Sequence, residues 1–167
     1  MIRVVLGELA EADVEAVLRP VTGEWGAVTP AMRRLEVAAG EAPARQYRQL
    51  GELPVGSAVI TSAGDLSAQF MIHIVVRSID ERVTPSGVRR GLQNAIRRLE
   101  EWGIQRVAVA PLGTGAGNLD ADESAAIMVP VLAESIHAGG PPLEVEIYVE
   151  SEYEHDVFTR HAAAVQP

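Results

Sequence analysis

The sequence predicts a three-layer α/β protein, and three observations carry the prediction. Six short apolar, β-branched runs recur along the chain, segments of helical period lie between them, and residues 106–110 run apolar with no polar alternation. Such a run reads as a strand covered on both faces of a largely parallel sheet. No repeat or linker divides the 167 residues, which suit one domain spanning residues 1–167. Apolar residues make up 47% of the chain but aromatic ones only 4%, so small aliphatic side chains must do the packing.

Residues 2–6 form a β-branched run closed by Gly7, and residues 14–18 a second one after an acidic turn. Residues 19–28 hold Pro20, Gly23, Trp25 and Gly26 without a period, and read as the loop leaving the second strand. Thr29 and Pro30 then cap and open a helix with Met32, Leu35, Ala38 and Ala39 on one face and Gly40 at its end. A shorter helix over residues 43–50 stops at Gly51. Residues 57–61 and 70–76 are two further strands, and His73, inside the second, reads as a core histidine bonded to backbone. Pro85 opens a long helix in which Val88, Leu92, Ala95, Ile96, Leu99 and Trp102 recur at the helical period, and Gly103 ends it. Arg89, Arg90, Arg97 and Arg98 share its opposite, solvated side. Asp120 and Glu123 have capping-box spacing for the next helix, where Pro130 predicts a kink or an early stop. Residues 143–149 alternate as a half-exposed strand does, and Ser151 with Glu154 caps a last helix ending near Ala164.

All 14 basic residues are Arg, against 23 acidic ones, for a net charge of −9. A general nucleic-acid or anionic-membrane binder needs a cationic surface, so both classes are disfavoured. The absence of Lys excludes a Schiff-base lysine, and the absence of Cys excludes disulfides and a thiol nucleophile. The four histidines, at 73, 137, 155 and 161, lack metal-ligand spacing. With neither a leader-like segment nor an apolar run near 20 residues, a soluble cytoplasmic protein is expected.

The stretch Ala110-Pro-Leu-Gly-Thr-Gly-Ala-Gly-Asn-Leu-Asp120 joins the run at 106–110 to a helix start. Three alternate glycines before a helix N-terminus suit a backbone cradle for phosphate, or equally a tight turn with no ligand. It is not a P-loop, because no Lys follows the last glycine.

Taken with the order of elements, Val55-Gly-Ser-Ala-Val-Ile-Thr61, Met71-Ile-His-Ile74 and Leu112-Gly-Thr-Gly-Ala-Gly117 resemble the macro domain, the module that binds ADP-ribose. The resemblance implies a mixed six-stranded sheet between helices, no cofactor, and ADP-ribose or a related nucleotide diphosphate as ligand. It places Gly113, Thr114, Gly115, Ala116, Gly117 and Asn118 around the diphosphate and distal ribose, with Val28 in the loop closing the other side. Glu8 and Leu9 stand where the family reads Asp-Ile at the adenine, and Glu150 where an aromatic commonly stacks, a contact worth ~1–3 kcal/mol.

Arg19-Pro20-Val21-Thr22 replaces the family's Asn-Ala-Ala-Asn, removing the carboxamide that assists hydrolysis in members that are enzymes. Thr22 and Glu24 are the remaining catalytic candidates, Glu24 on condition that Trp25 desolvates it. Three functions follow. The first is a divergent ADP-ribose or nucleotide-diphosphate module; the second is a hydrolase acting on ADP-ribosyl groups or O-acetyl-ADP-ribose. The third is a structural or protein-interaction domain, in which Glu24, Asp120, Asp122, Glu123 and Glu150 repel a diphosphate; an ADP-ribosylated or other protein would be the partner.

Overall fold

The computed structural model describes residues 1–115, 118–142 and 144–166. Twelve elements follow in chain order: β1 (Ile2–Leu6), a 3-10 turn (Leu9–Glu11), β2 (Ala16–Thr22), α1 (Pro30–Ala39), α2 (Glu41–Arg48), β3 (Ala58–Ser62), β4 (Phe70–Arg77), α3 (Pro85–Trp102), β5 (Arg106–Val109), α4 (Ala121–His137), β6 (Glu144–Val149) and α5 (Glu152–Val165). The strands form one mixed sheet in the order β1-β6-β5-β2-β4-β3, in which only β3 runs antiparallel to its neighbour. Alternation along the strands sends side chains to two different layers. Leu18, Ile72, Ile74, Val107 and Val109 pack with α3, α4 and α5, while Val17, Met71 and Ala108 pack with α1. The α1 side is built largely from small residues, among them Ala12, Ala39, Ala63, Ala68 and Ala110. Among the described residues no helix is long and apolar enough to cross a membrane.

The helix ends follow the chemistry of their caps. Thr29, Asp120 and Ser151 each accept an amide hydrogen bond at a helix N-terminus, and Asp120 with Glu123 completes a capping box. Gly103 closes α3 in the left-handed conformation.

Four expectations are corrected. Residues 19–22 are not loop: β2 runs on through Arg19, Pro20, Val21 and Thr22, all buried. Proline is tolerated there for a reason of geometry. The Leu18 carbonyl faces β5, where it accepts the Ala110 amide at 3.3 Å. Pro20, two residues on, faces the same way beyond the end of β5, so its missing N–H removes no ladder bond. Of the kink or early stop expected at Pro130, the early stop does not occur: α4 runs on to His137, and Pro130 and Ala126, whose carbonyl loses its partner, lie on the exposed side. Trp102 is exposed and meets Phe70 edge-on rather than joining the α3 core face. His73 is a core residue, as read, but its partners are side chains and not backbone. On the polar side of α3, Arg90, Asn94 and Arg98 reach the carbonyls of Val55, Gly56 and Ala58, tying the helix to the approach to β3.

Candidate functional site

A cleft of about 300 Å3 opens at the C-terminal ends of β1, β6 and β5, against the start of α1. Crevices at this end of a parallel sheet are where open α/β folds bind ligands. Gly7 and Leu9 follow β1, Tyr148, Val149 and Glu150 come from the end of β6, and Thr29, Pro30, Ala31, Met32 and Arg34 come from α1 and its cap. Ala110, Pro111 and Thr114 close the floor from the loop after β5.

The glycine loop adjoins the loop before α1. A Cβ placed on Gly115 would lie 3.5 Å from the Val28 carbonyl, so the two segments expected to face each other do so. Gly113 and Gly115 both have positive φ, of 81° and 128°. Their surroundings differ. A Cβ on Gly113 would come within 2.8 Å of Val88, whereas on Gly115 it meets nothing closer than 3.5 Å. Gly113 is therefore needed for packing, whereas a Cβ at Gly115 would make only ordinary contacts, with Asn118, Val28 and Thr29 among the described residues. The loop is also closed on itself: Leu119 donates to the Gly113 carbonyl at 3.0 Å and Asn118 to that of Gly115 at 3.1 Å. Those two amides are spent inside the loop and are not available to a ligand. Ser124 of α4 anchors the loop's start by donating to the Leu112 carbonyl at 2.7 Å. Ala116 and Gly117 lie outside the described residues.

Of the other anticipated residues, Leu9, Thr114 and Glu150 line the cleft, and Val28 borders it beside Thr29. Glu8 reaches it through Arg34. The Arg34 guanidinium, on α1, donates through Nε to Glu8 at 2.8 Å and through Nη2 to Glu150, bridging the ends of β1 and β6. Arg34 was not anticipated. Its signal in the sequence is the Thr29-capped helix start, which sets Ala31 and Arg34, three apart, on one side of α1 at the cleft. Tyr148 and Glu154 also line the cleft, Glu154 without having been anticipated, and burial pushes the Tyr148 phenol upward.

The catalytic candidates fare differently. Thr22 is buried at the end of β2, its hydroxyl pressed so close to Gly26 that a Cβ there would lie 2.5 Å away. Glu24 is exposed, and Trp25 does not desolvate it. Instead Trp25, with φ at 65°, turns inward and lays its ring 4.2 Å from the Arg19 guanidinium. The indole also packs against Tyr47 and His73, each with ring centroids about 5 Å away. Tyr47 donates to the Thr22 carbonyl at 2.9 Å, and its burial pushes the phenol up to about 12. Arg19, wholly buried, pairs with Glu36 at 2.6 Å, and burial pulls its guanidinium down while that pair pushes back. Arg19 and Thr22 thus belong to a buried polar cluster with Glu36, Tyr47 and His73, closed over by Trp25.

The family model described as Macro domain matches residues 28–128. An uncharacterized protein of Aquifex aeolicus is 31% identical over 134 residues, spanning 77% of this chain and 78% of the relative. One of Aeropyrum pernix is 31% identical over 126 residues, spanning 75% and 67%. Among solved structures, the Oceanobacillus iheyensis macrodomain with ADP superposes with a TM-score of 0.87 at 17% identity, covering 97% of this chain and 90% of that one. The Trypanosoma brucei macrodomain in complex with ADP-ribose gives 0.85 at 14% identity, covering 95% and 68%. A sheet ordered β1-β6-β5-β2-β4-β3, a glycine loop set against the start of α1 and a family model spanning more than half the residues agree: the chain belongs to the macro domain family.

Proposed function

We propose that this protein binds ADP-ribose or a related nucleotide diphosphate in the cleft between α1 and the glycine loop, and that it does so without hydrolysing it. The observation that carries the reading is the closeness of Gly115 to Val28, where a Cβ would make only ordinary contact, which sets the loop backbone opposite the α1 cap beside a cleft of about 300 Å3. That volume is at the small end of ligand sites, which run from roughly 300 to 1,000 Å3. Related folds whose structures hold ADP or ADP-ribose support the choice of ligand.

In this reading Gly113, Thr114 and Gly115, with Ala116, Gly117 and Asn118, surround the diphosphate and distal ribose, and Val28 faces them. Leu9, Glu8 and Glu150 stand at the base. A net charge of −9 opposes an anionic ligand at long range, so affinity rests on short-range backbone contacts and improves with added salt, which screens the repulsion. The absence of hydrolysis rests on Thr22, whose hydroxyl is buried against Gly26, and on Glu24, which is exposed to solvent.

Calorimetric titration with ADP-ribose tests the reading, using the parent and Gly115→Glu. Saturable binding by the parent, lost in the variant while its circular dichroism is unchanged, is the expected result. Equal affinity in the two proteins places the diphosphate elsewhere, and no heat with the parent removes the reading altogether.

A further inference from the structure

We infer that Arg34 is a specificity residue of this cleft: a planar cation fixed across the base end, on which a heteroaromatic ring stacks in place of an aromatic side chain. The inference rests on the ligand reading above and adds the group that holds the base.

The geometry comes from three elements. Glu8 follows β1 and Glu150 follows β6, and these strands are neighbours, with the Gly7 amide bonded to the Val149 carbonyl at 2.9 Å. Arg34 reaches over from α1 and is held at two different nitrogens by the two carboxylates. Held at both sides of its guanidinium, the half-exposed Arg34 is biased toward one orientation across the cleft. The cleft persists beneath it, with Leu9 and Val149 as apolar wall.

The chemistry of that surface is selective. A guanidinium stacks on π-systems and gains from their quadrupole, which a sugar or a bare phosphate does not offer. Each carboxylate contacts Arg34 through one oxygen, leaving its second oxygen with no hydrogen-bond partner among the described residues. A base lying along Arg34 therefore meets acceptors at its edge, which suits a ring bearing an exocyclic amino group.

ADP and pyrophosphate separate this role from simple attraction, because both carry the diphosphate and only one carries a base. Arg34→Gln is made in a half-exposed side chain on the helix surface, so the fold is kept, and an unchanged melting midpoint verifies it. The expected result by calorimetry is ADP affinity about tenfold weaker with pyrophosphate affinity held within about twofold, the scale of a partly desolvated cation–π contact. Glu150→Gln, which releases one tether, is expected to lower the same ADP-to-pyrophosphate ratio by a smaller factor. An unchanged ratio in Arg34→Gln, in a protein that still binds ADP-ribose, overturns the stacking role and leaves the ligand reading standing. A rise in ADP affinity on removing Arg34 also overturns it, since Arg34 would then obstruct the cleft. A parent that binds none of ADP-ribose, ADP and pyrophosphate overturns both.

Discussion

Arg19 Nε donates to His73 Nδ1 at 3.0 Å, a hydrogen bond between two fully buried side chains on adjacent central strands. An Arg has only donors, so Nδ1 must be the accepting nitrogen and the proton sits on Nε2, facing Thr61 Oγ1 at 2.8 Å. The Thr61 hydroxyl in turn donates to the Ser62 carbonyl at 2.9 Å. One neutral tautomer of His73 serves each of these hydrogen bonds, and among the described residues Arg19 Nη2 is left as a buried side-chain nitrogen without a hydrogen-bond partner.

Stability should therefore fall in acid through His73. Burial first, and the Arg19 charge second, hold the imidazole well below its ordinary value of 6.5. The unfolded chain takes up a proton at this residue as pH drops through 6.5, and the native state refuses it. The contribution is thus full above 6.5 and is lost progressively below it, down to the depressed native value. Nitrogen-15 spectra should show His73 neutral, protonated at Nε2, at pH 6. Urea unfolding should show a steeper loss of stability from pH 7 to pH 5 in the parent than in His73→Gln.

Breaking the Arg19–Glu36 pair should be costly from one side only. Arg19 is wholly buried, whereas the Glu36 side chain is 21% exposed. Glu36→Leu strands a buried cation and is expected to cost about 3–5 kcal/mol. Arg19→Met lets Glu36 return to water and leaves one His73 nitrogen unpaired, at about 1–3 kcal/mol. The double variant should be more stable than Glu36→Leu alone, measured by denaturant unfolding; simple additivity would contradict the coupling.

The two positive-φ glycines of the loop should separate stability from binding. Gly113→Ala adds strain and drives a methyl into Val88, Leu119 and Val83, for an expected loss of roughly 2–4 kcal/mol. Gly115→Ala meets no atom closer than 3.5 Å and should cost about 1–2 kcal/mol, from backbone strain alone. Thermal melts of the two variants read the difference directly.

Turnover of an ADP-ribosylated protein or of O-acetyl-ADP-ribose should be absent. Catalysis needs a group that orients water at the distal ribose. Thr22 presses its hydroxyl on Gly26, and Glu24 lies in solvent beside a tryptophan that faces away into Arg19. Release of ADP-ribose, followed by chromatography, should match the blank reaction for the parent and for Glu24→Gln alike. Robust turnover by the parent, abolished in that variant, would make Glu24 the base.

Most of the scaffold was legible because periodicity and caps are local signals. Thr29, Gly40, Pro85, Gly103, Asp120 and Ser151 mark helix ends by chemistry that acts within a turn. What misled was Pro20, a residue whose local reading is a breaker and whose tolerance depends on where a distant strand stops. Trp25 misled for a related reason: its sequence neighbour is Glu24, but its partners Arg19, Tyr47 and His73 come from β2, α2 and β4. Arg34 went unseen because both of its carboxylates are remote in sequence, at positions 8 and 150. Strand and helix identities were readable, while pairings between charged groups across the cleft were decided by topology.

Pro20 also bears on how the cleft endures. Beyond Leu18, β2 and β5 part like the two sides of an open zipper, and the loop after β5 leaves at that fork. A chain with an ordinary residue at position 20 keeps a donor ready for the next tooth, so drift in the loop sequence could close the seam and draw the loop down into the sheet. With proline there the next tooth is missing, and the seam cannot advance by the usual bond. The ladder lacks its next donor at that fork, independently of whatever the cleft contains.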